Sequence, residues 1–563
     1  MHQFIEGAIC HAEACYSVSK PHGTAAGQRD SSLGNRNAQG VGDRINAGQT
    51  AEIRADSSGA WFLRIGPFKM SFCEELNIAS GAEYVILRDV AVGEVWLAGG
   101  QSNMEFHMRY EADMAEEQPR CENKLIRFFD YTEVSYVGQI KEADYRANYG
   151  FWRLCTPEQL ERFSAVGYYF AKDLQNRYDV PIGIIGCNWG GTPACAWMTW
   201  EAILEGGGQA YLEEYDQAIR GLDLAAYEER FQMERGAWRT DLLADPIHDM
   251  MMFGLSMEDI GAKLAELGIV PAVSAPVMGP KNERRPCGLY DAMLRPIAPY
   301  GIRGVIWYQG ETDGDNHPEV YATLLPALIQ CWRTLWGEEL PFLFVQLAPL
   351  GQWMDCNGAP YAIIRSAQQH AADTIPNTGM AVITDVGMEH DIHPKKKQPV
   401  GRRLALLSMA KVYGEELLCE APTLVDVDAE EGQIILTFDN AGEGLYLADT
   451  APYGQKLDGG KLSGLQVVQG GLELDMAALT AQALRQKLQE RQQAQAAQKA
   501  AAKEEAKPPD KPAAGGGQKA PASGPEKKSE PPAGGAKKPS GTTAGGRGKK
   551  PATPKSKKTG PTR

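Results

Sequence analysis

The chain has 563 residues, 43% of them hydrophobic and 23% charged, with a formal net charge of −15. That is too long for one compact core and too polar for a bundle of membrane spans, so two or three globular domains are expected. The charge is divided unevenly: residues 481–563 hold 19 basic against 6 acidic groups, a net +13, which leaves −28 on the rest. An acidic body argues against a nucleic-acid-binding fold and suits a neutral sugar substrate.

No apolar run reaches membrane-spanning length, and the first residues, Met1-His2-Gln3-Phe4-Ile5-Glu6-Gly7, lack a basic start followed by an apolar stretch. The eleven cysteines are odd in number, irregularly spaced and without a Cys-x-x-Cys pair. They point away from a disulfide framework or zinc centre and toward a reducing, cytoplasmic setting. The oligomeric state is left open.

Residues 1–45, rich in Gly, Ser, Asn and Arg, read as an irregular N-terminal segment. Residues 46–90 read as a partial β module, with short strand-like runs at 51–55, 60–65 and 84–87 separated by Ser/Gly turns. Residues 91–420 read as α/β: apolar runs at 95–98, 182–185, 304–308, 342–347 and 381–386 are candidate parallel strands. A helical pattern at 158–178 repeats Leu160, Phe163, Val166, Phe170 and Leu174. Residues 201–281 are charged, helical and Met-rich, an insertion placed to act as a lid. Residues 421–480 form a C-terminal β module with a hairpin strand at 433–438. Residues 481–563, made of Ala, Gln, Lys, Pro and Gly, form a disordered basic tail.

The most informative stretch is Gly99-Gly100-Gln101-Ser102-Asn103-Met104, which ends the first apolar run of the α/β region. A strand fixes the serine in space, and glycine permits the sharp turn that exposes it. The second glycine of the Gly-x-Ser-x-Gly elbow is missing. Three further blocks follow: Cys187-Asn188-Trp189-Gly190-Gly191-Thr192-Pro193, then Trp307-Tyr308-Gln309-Gly310-Glu311-Thr312-Asp313, then Asp385-Val386-Gly387-Met388-Glu389-His390-Asp391-Ile392-His393-Pro394.

In this order the blocks resemble those of the sialate O-acetylesterase branch of the SGNH hydrolases, over roughly residues 50–470. The resemblance implies an α/β SGNH-hydrolase (flavodoxin-like) three-layer sandwich with a parallel sheet, flanked by small β modules. It also implies a carboxylic ester hydrolase that removes O-acetyl groups from carbohydrate, most simply sialic acid. Ser102 is then the nucleophile and His393 the general base, with Asp391 the nearest carboxylate and Asp385 its rival. A Ser–His dyad without an acid is a third arrangement. The oxyanion would accept from Gly191 (or Gly190) and from the side chain of Gln309, which stands where the wider group has asparagine. Glu311 and Trp189 are candidate substrate contacts; Trp307 and Tyr308 also flank the expected pocket. No cofactor or metal is called for, and His390, Asp391 and His393 lack the spacing of a zinc site. Two other readings remain: an acetylxylan or other polysaccharide esterase, and a catalytically weak carbohydrate-binding protein.

Overall fold

The computed structural model describes residues 68–80, 83–139, 148–235, 245–268, 277–298, 300–430 and 433–442, together with position 243 and short strands before residue 66. Its centre is a sheet of seven strands: β1 (Glu83–Gly100), β2 (Asn123–Asp130), β3 (Trp152–Cys155), β4 (Ile182–Asn188), β5 (Gly304–Tyr308), β6 (Phe342–Val345) and β7 (Thr378–Ala381). They lie in the order β7-β6-β5-β1-β4-β2-β3. All neighbours run parallel except the edge pair β2–β3. Every residue of β4, β5 and β6 is buried, the mark of a sheet covered on both faces.

Trp96 on β1 meets Phe170 of the helix Ala165–Tyr178 at 5.0 Å between ring centroids. A side chain at Gly99, three residues on and so on the opposite face, would instead strike Trp332 of the helix Tyr321–Trp336. Helices thus cover the sheet from both sides, giving three layers. No helix among the described residues is long and apolar enough to cross a membrane.

The register positions the site. Gly100 pairs with both Asn188 of β4 and Tyr308 of β5, so these strands end at one level. The loops that follow, at 101, 189 and 309, therefore open into one crevice at the carboxyl edge of the sheet. The strand order turns there about β1, with β5, β6 and β7 on one side and β4, β2 and β3 on the other, the place where open α/β sheets hold ligands.

Some expectations need correction. The run at 124–129 is strand β2, missed because Lys124 and Arg127 interrupt its apolar pattern. Arg127 is nonetheless buried, its guanidinium bonded to the Asp89 carboxylate at 2.9 Å and to the Asp89 carbonyl at 2.5 Å. The last strand is Thr378–Ala381, not 381–386; the chain already turns at Thr384 and Asp385. The helix expected from residue 158 begins at Ala165, where the Ser164 hydroxyl caps it by accepting from the Gly167 N–H at 3.1 Å.

β1 runs unbroken through the expected boundary at residue 90. Its first half pairs antiparallel with Ser71–Ser80 and its second half belongs to the catalytic sheet. The segment 1–45 is not irregular throughout, since strands lie at Ile9–His11, Tyr16–Ser19 and Asp30–Gly34, the first pairing with β1. Within 201–281 helices occur at Trp200–Glu205, Gln209–Ile219, Leu224–Arg235, Pro246–Met252 and Met257–Glu266. Near the C-terminus Thr423–Glu430 and Gln433–Asp439 form an antiparallel hairpin. The tail expected at 481–563 lies outside the described residues.

Candidate active site

Ser102 is the first residue of a four-residue helix, Ser102–Glu105, directly after β1. The turn that delivers it depends on Gly100, whose φ of 137° is reserved for glycine and whose Cβ would lie 2.1 Å from the Tyr308 carbonyl oxygen. The turn is pinned by the Gln101 N–H, which donates to that carbonyl at 3.0 Å. Gln101 in turn accepts at its side-chain oxygen from the Thr312 N–H at 3.3 Å. A cavity of about 360 Å³ opens above Ser102, with Gly191, Trp189, Glu311, Trp353 and His393 among its walls.

His393 Nε2 lies 2.9 Å from Ser102 Oγ. The histidine is buried at 4% exposure, and the Trp353 ring stands edge-on to it at 5.3 Å. Asp391 Oδ1 accepts the His393 backbone N–H at 2.8 Å, which sets the loop, but it stands 3.6 Å from His393 Nδ1. That gap is longer than a hydrogen bond and short enough for strong charge coupling. The other oxygen of Asp391 is paired with Lys395 Nζ at 2.8 Å. Burial pushes the His393 imidazole down to about 4, against the upward pull of Asp391. Burial alone would raise Asp391, yet the His393 side chain and the Lys395 ammonium hold it below the usual carboxylate range. Asp385, the rival, sits in a bidentate pair with Arg403 at 2.6 and 2.7 Å and is half-exposed.

The two glycines of the second block differ. The Gly190 N–H is spent on Glu105 Oε2 at 2.6 Å. Gly191, at φ 74° and exposed to the cavity, has no protein acceptor for its N–H among the described residues.

Gln309 is not at the cavity. It is wholly buried, and its amide nitrogen donates to Asp313 Oδ2 at 2.5 Å, to the Thr192 carbonyl and to Gln101 Oε1, both at 3.2 Å. Its oxygen accepts from the Tyr321 hydroxyl at 2.9 Å. The side chain ties loops together and has no donor left for a reacting oxygen. Trp307 and Tyr308 are likewise fully buried, Trp307 against Trp332 at 5.2 Å and Tyr308 beneath the Lys397 ammonium at 5.4 Å. Neither lines the cavity.

Glu311 does line it. One of its oxygens accepts from Asn103 Nδ2 at 2.6 Å; the other has no partner. Burial raises this carboxyl to about 7 despite the Asn103 bond. Asn103 also accepts from Lys397 Nζ at 2.5 Å. Lys397, a residue the sequence did not single out, is completely buried and lies 4.5 Å over the Phe106 ring. Burial first, then Lys395, lowers its amine to about 7, while Glu311 acts the other way. Arg284, also missed, is an exposed cation at the cavity wall.

Residues 240–408 match the family described as "Carbohydrate esterase, sialic acid-specific acetylesterase", a span that includes Asp391 and His393 but begins after Ser102. The sialate O-acetylesterases of mouse and human are each 26% identical to the chain and cover 68% of it, over 70% and 66% of their own lengths. A carbohydrate acetylesterase of Xanthomonas citri is 28% identical in structural superposition, with a TM-score of 0.55, over 78% of this chain and 80% of its own. Over about two thirds of its length the chain is thus similar to sialate O-acetylesterases. It is a carboxylic ester hydrolase with an SGNH-type fold. The serine block after β1 and the histidine block after β7 converge on one cavity, although 291 positions separate Ser102 from His393.

Proposed function

We propose that the protein hydrolyses O-acetyl esters of sialic acid by a serine acyl-enzyme mechanism. The observation that carries the reading is the 2.9 Å contact between Ser102 Oγ and His393 Nε2 at the cavity wall. A serine hydroxyl needs a base to become nucleophilic, and His393, held neutral by burial, is ready to serve at ordinary pH. Ser102 Oγ attacks the acetyl carbonyl as His393 takes its proton. The N–H groups of Ser102 and Gly191 receive the oxyanion, Gln309 having been excluded by its own bonds. Collapse of the tetrahedral intermediate expels the sugar oxygen, which takes the proton back from His393. Water then repeats the sequence on the acetyl-Ser102 ester and releases acetate. Asp391 steadies the imidazolium by charge across 3.6 Å. Glu311 and Trp189, both on the cavity wall, are the candidate contacts for the sugar.

Sialic acid carries a carboxylate, and Arg284 offers that group a partner on a wall otherwise rich in acids, Glu283 and Asp315 among them. Relatives named for sialate support the same choice. The test is acetate release from an O-acetylated sialoside, from acetylated xylan and from p-nitrophenyl acetate, with Ser102→Ala alongside. The reading expects the sialoside to be preferred and Ser102→Ala to lose at least about a thousandfold in kcat. Preference for xylan would overturn the substrate, and an active Ser102→Ala would overturn the mechanism.

A further inference from the structure

We propose that Glu105, His107 and His248 form a binding site for a divalent ion of the zinc class, beside the Ser102–His393 pair and distinct from it. The donor atoms of the three side chains all lie within 4.8 Å of one another, and each residue is buried to 6% exposure or less. Two imidazoles and one carboxylate favour zinc, cobalt or nickel over magnesium or calcium, which prefer all-oxygen shells. Tetrahedral ligands at about 2.1 Å from an ion stand about 3.4 Å apart, so donor atoms at most 4.8 Å apart need close by no more than about 1.4 Å. Three protein donors leave a position for water.

Each ligand is held from behind. Glu105 Oε2 accepts the Gly190 N–H at 2.6 Å, which fixes the carboxylate. His107 is fixed by its backbone, which bridges to Ser164, while the flanking Phe106 and Met108 bond to Ala165 and Phe163 at 2.8 Å. His248 lies in the helix Pro246–Met252, capped by Asp245 and moored by Asp249, which pairs with Arg109 at 3.0 Å and accepts from the Tyr110 hydroxyl at 3.1 Å. Glu105 and His248 also line the main cavity, which provides an entry path from solvent. Behind them Glu105 and His107 border a second hollow of about 10 Å³, close to the space one water needs.

The two segments that supply ligands differ in origin: 105–107 continues the helix that starts at Ser102, and His248 belongs to the insertion. A bound ion therefore fastens the insertion to the segment bearing the nucleophile, and its role is that of a staple.

The experiment uses the full chain, stripped with a chelator and titrated with zinc ion alone. The expected result is one tightly held zinc per chain by elemental analysis and a zinc-dependent rise in Tm. His107→Gln and His248→Gln should each abolish both, and Ser102→Ala should keep both. A rise in Tm that persists in the two histidine variants, or no tight zinc in the wild type, would overturn the site. Because a variant can fail to fold, cobalt bound to the wild-type chain is examined by X-ray absorption. A shell of two imidazoles with oxygen supports the proposal, and thiolate ligation from one of the eleven cysteines refutes it.

Discussion

Replacing Asp391 by Asn removes a charge while keeping the shape of the side chain. The amide oxygen of the new side chain can still accept the His393 backbone N–H now met at 2.8 Å, so the loop should hold. What changes is the field at His393. A unit charge 3.6 Å from Nδ1 is worth about 5 kcal/mol at an effective dielectric constant of about 20. Part of that is already cancelled by the Lys395 ammonium, 2.8 Å from the same carboxylate. A net loss of about 2–3 kcal/mol is expected, or roughly 30- to 150-fold in kcat/KM on p-nitrophenyl acetate. The direction of the pH effect is also fixed. Asp391 raises the His393 pKa and the lysines lower it, so the variant base should be still weaker. The acid limb of kcat/KM should then move to lower pH while the plateau falls. Asp385→Asn serves as control, because its carboxylate is occupied by Arg403. An Asp391→Asn variant within about threefold of wild type, with its acid limb unmoved, would refute the charge argument and leave an unaided Ser–His pair.

Further outcomes can be checked. In the wild type the base must be neutral, and burial holds His393 at about 4, so kcat/KM should stay flat from neutrality down to about pH 5 and fall only below; a limb near the ordinary histidine value of about 6.5 would contradict this. Gly100→Ala would force a Cβ to within 2.1 Å of a backbone oxygen at positive φ. The expected cost is about 3 kcal/mol or more, seen as a fall of roughly 6–12 °C in Tm together with loss of activity. Arg284→Gln should raise KM for an acetylated sialoside by roughly 5- to 30-fold, about 1–2 kcal/mol, and leave p-nitrophenyl acetate unaffected. Equal effects on both substrates would remove Arg284 from carboxylate recognition.

The parts of the site that were legible are those fixed by the backbone. Gly99-Gly100-Gln101-Ser102 announces a turn that only glycine can make, and strand ends in register bring the Trp189–Gly191 and Gln309–Glu311 loops beside it. The parts that were not legible depend on side-chain partners distant in sequence. Nothing local shows that the Gln309 amide is claimed by Asp313 and Tyr321, which lie in helices after β5. Lys397 was hidden differently, within the run Lys395-Lys396-Lys397 that reads as a solvated patch. Only Lys396 is exposed; Lys395 turns to Asp391 and Lys397 into the core under Phe106. β2 escaped notice because a buried arginine breaks its pattern, and its partner Asp89 sits on another strand.

β1 also bears on how chains of this fold can vary. It threads two sheets, so an inserted or deleted residue would flip every later side chain to the other face and displace Ser102 by about 3.3 Å. Its pairing with Ser71–Ser80 slips twice, between Ser71 and Glu74 opposite Val90–Val92 and between Glu74 and Leu76 opposite Leu87–Val90, where Asp89 adopts a φ of 55°. Both slips lie upstream of residues 94–100, whose pairing with β4 and β5 is unbroken. Length changes should therefore accumulate before residue 93 in related chains and be purged after it, with the stretch around Asp89 acting as an expansion joint between a tolerant front sheet and an intolerant catalytic one.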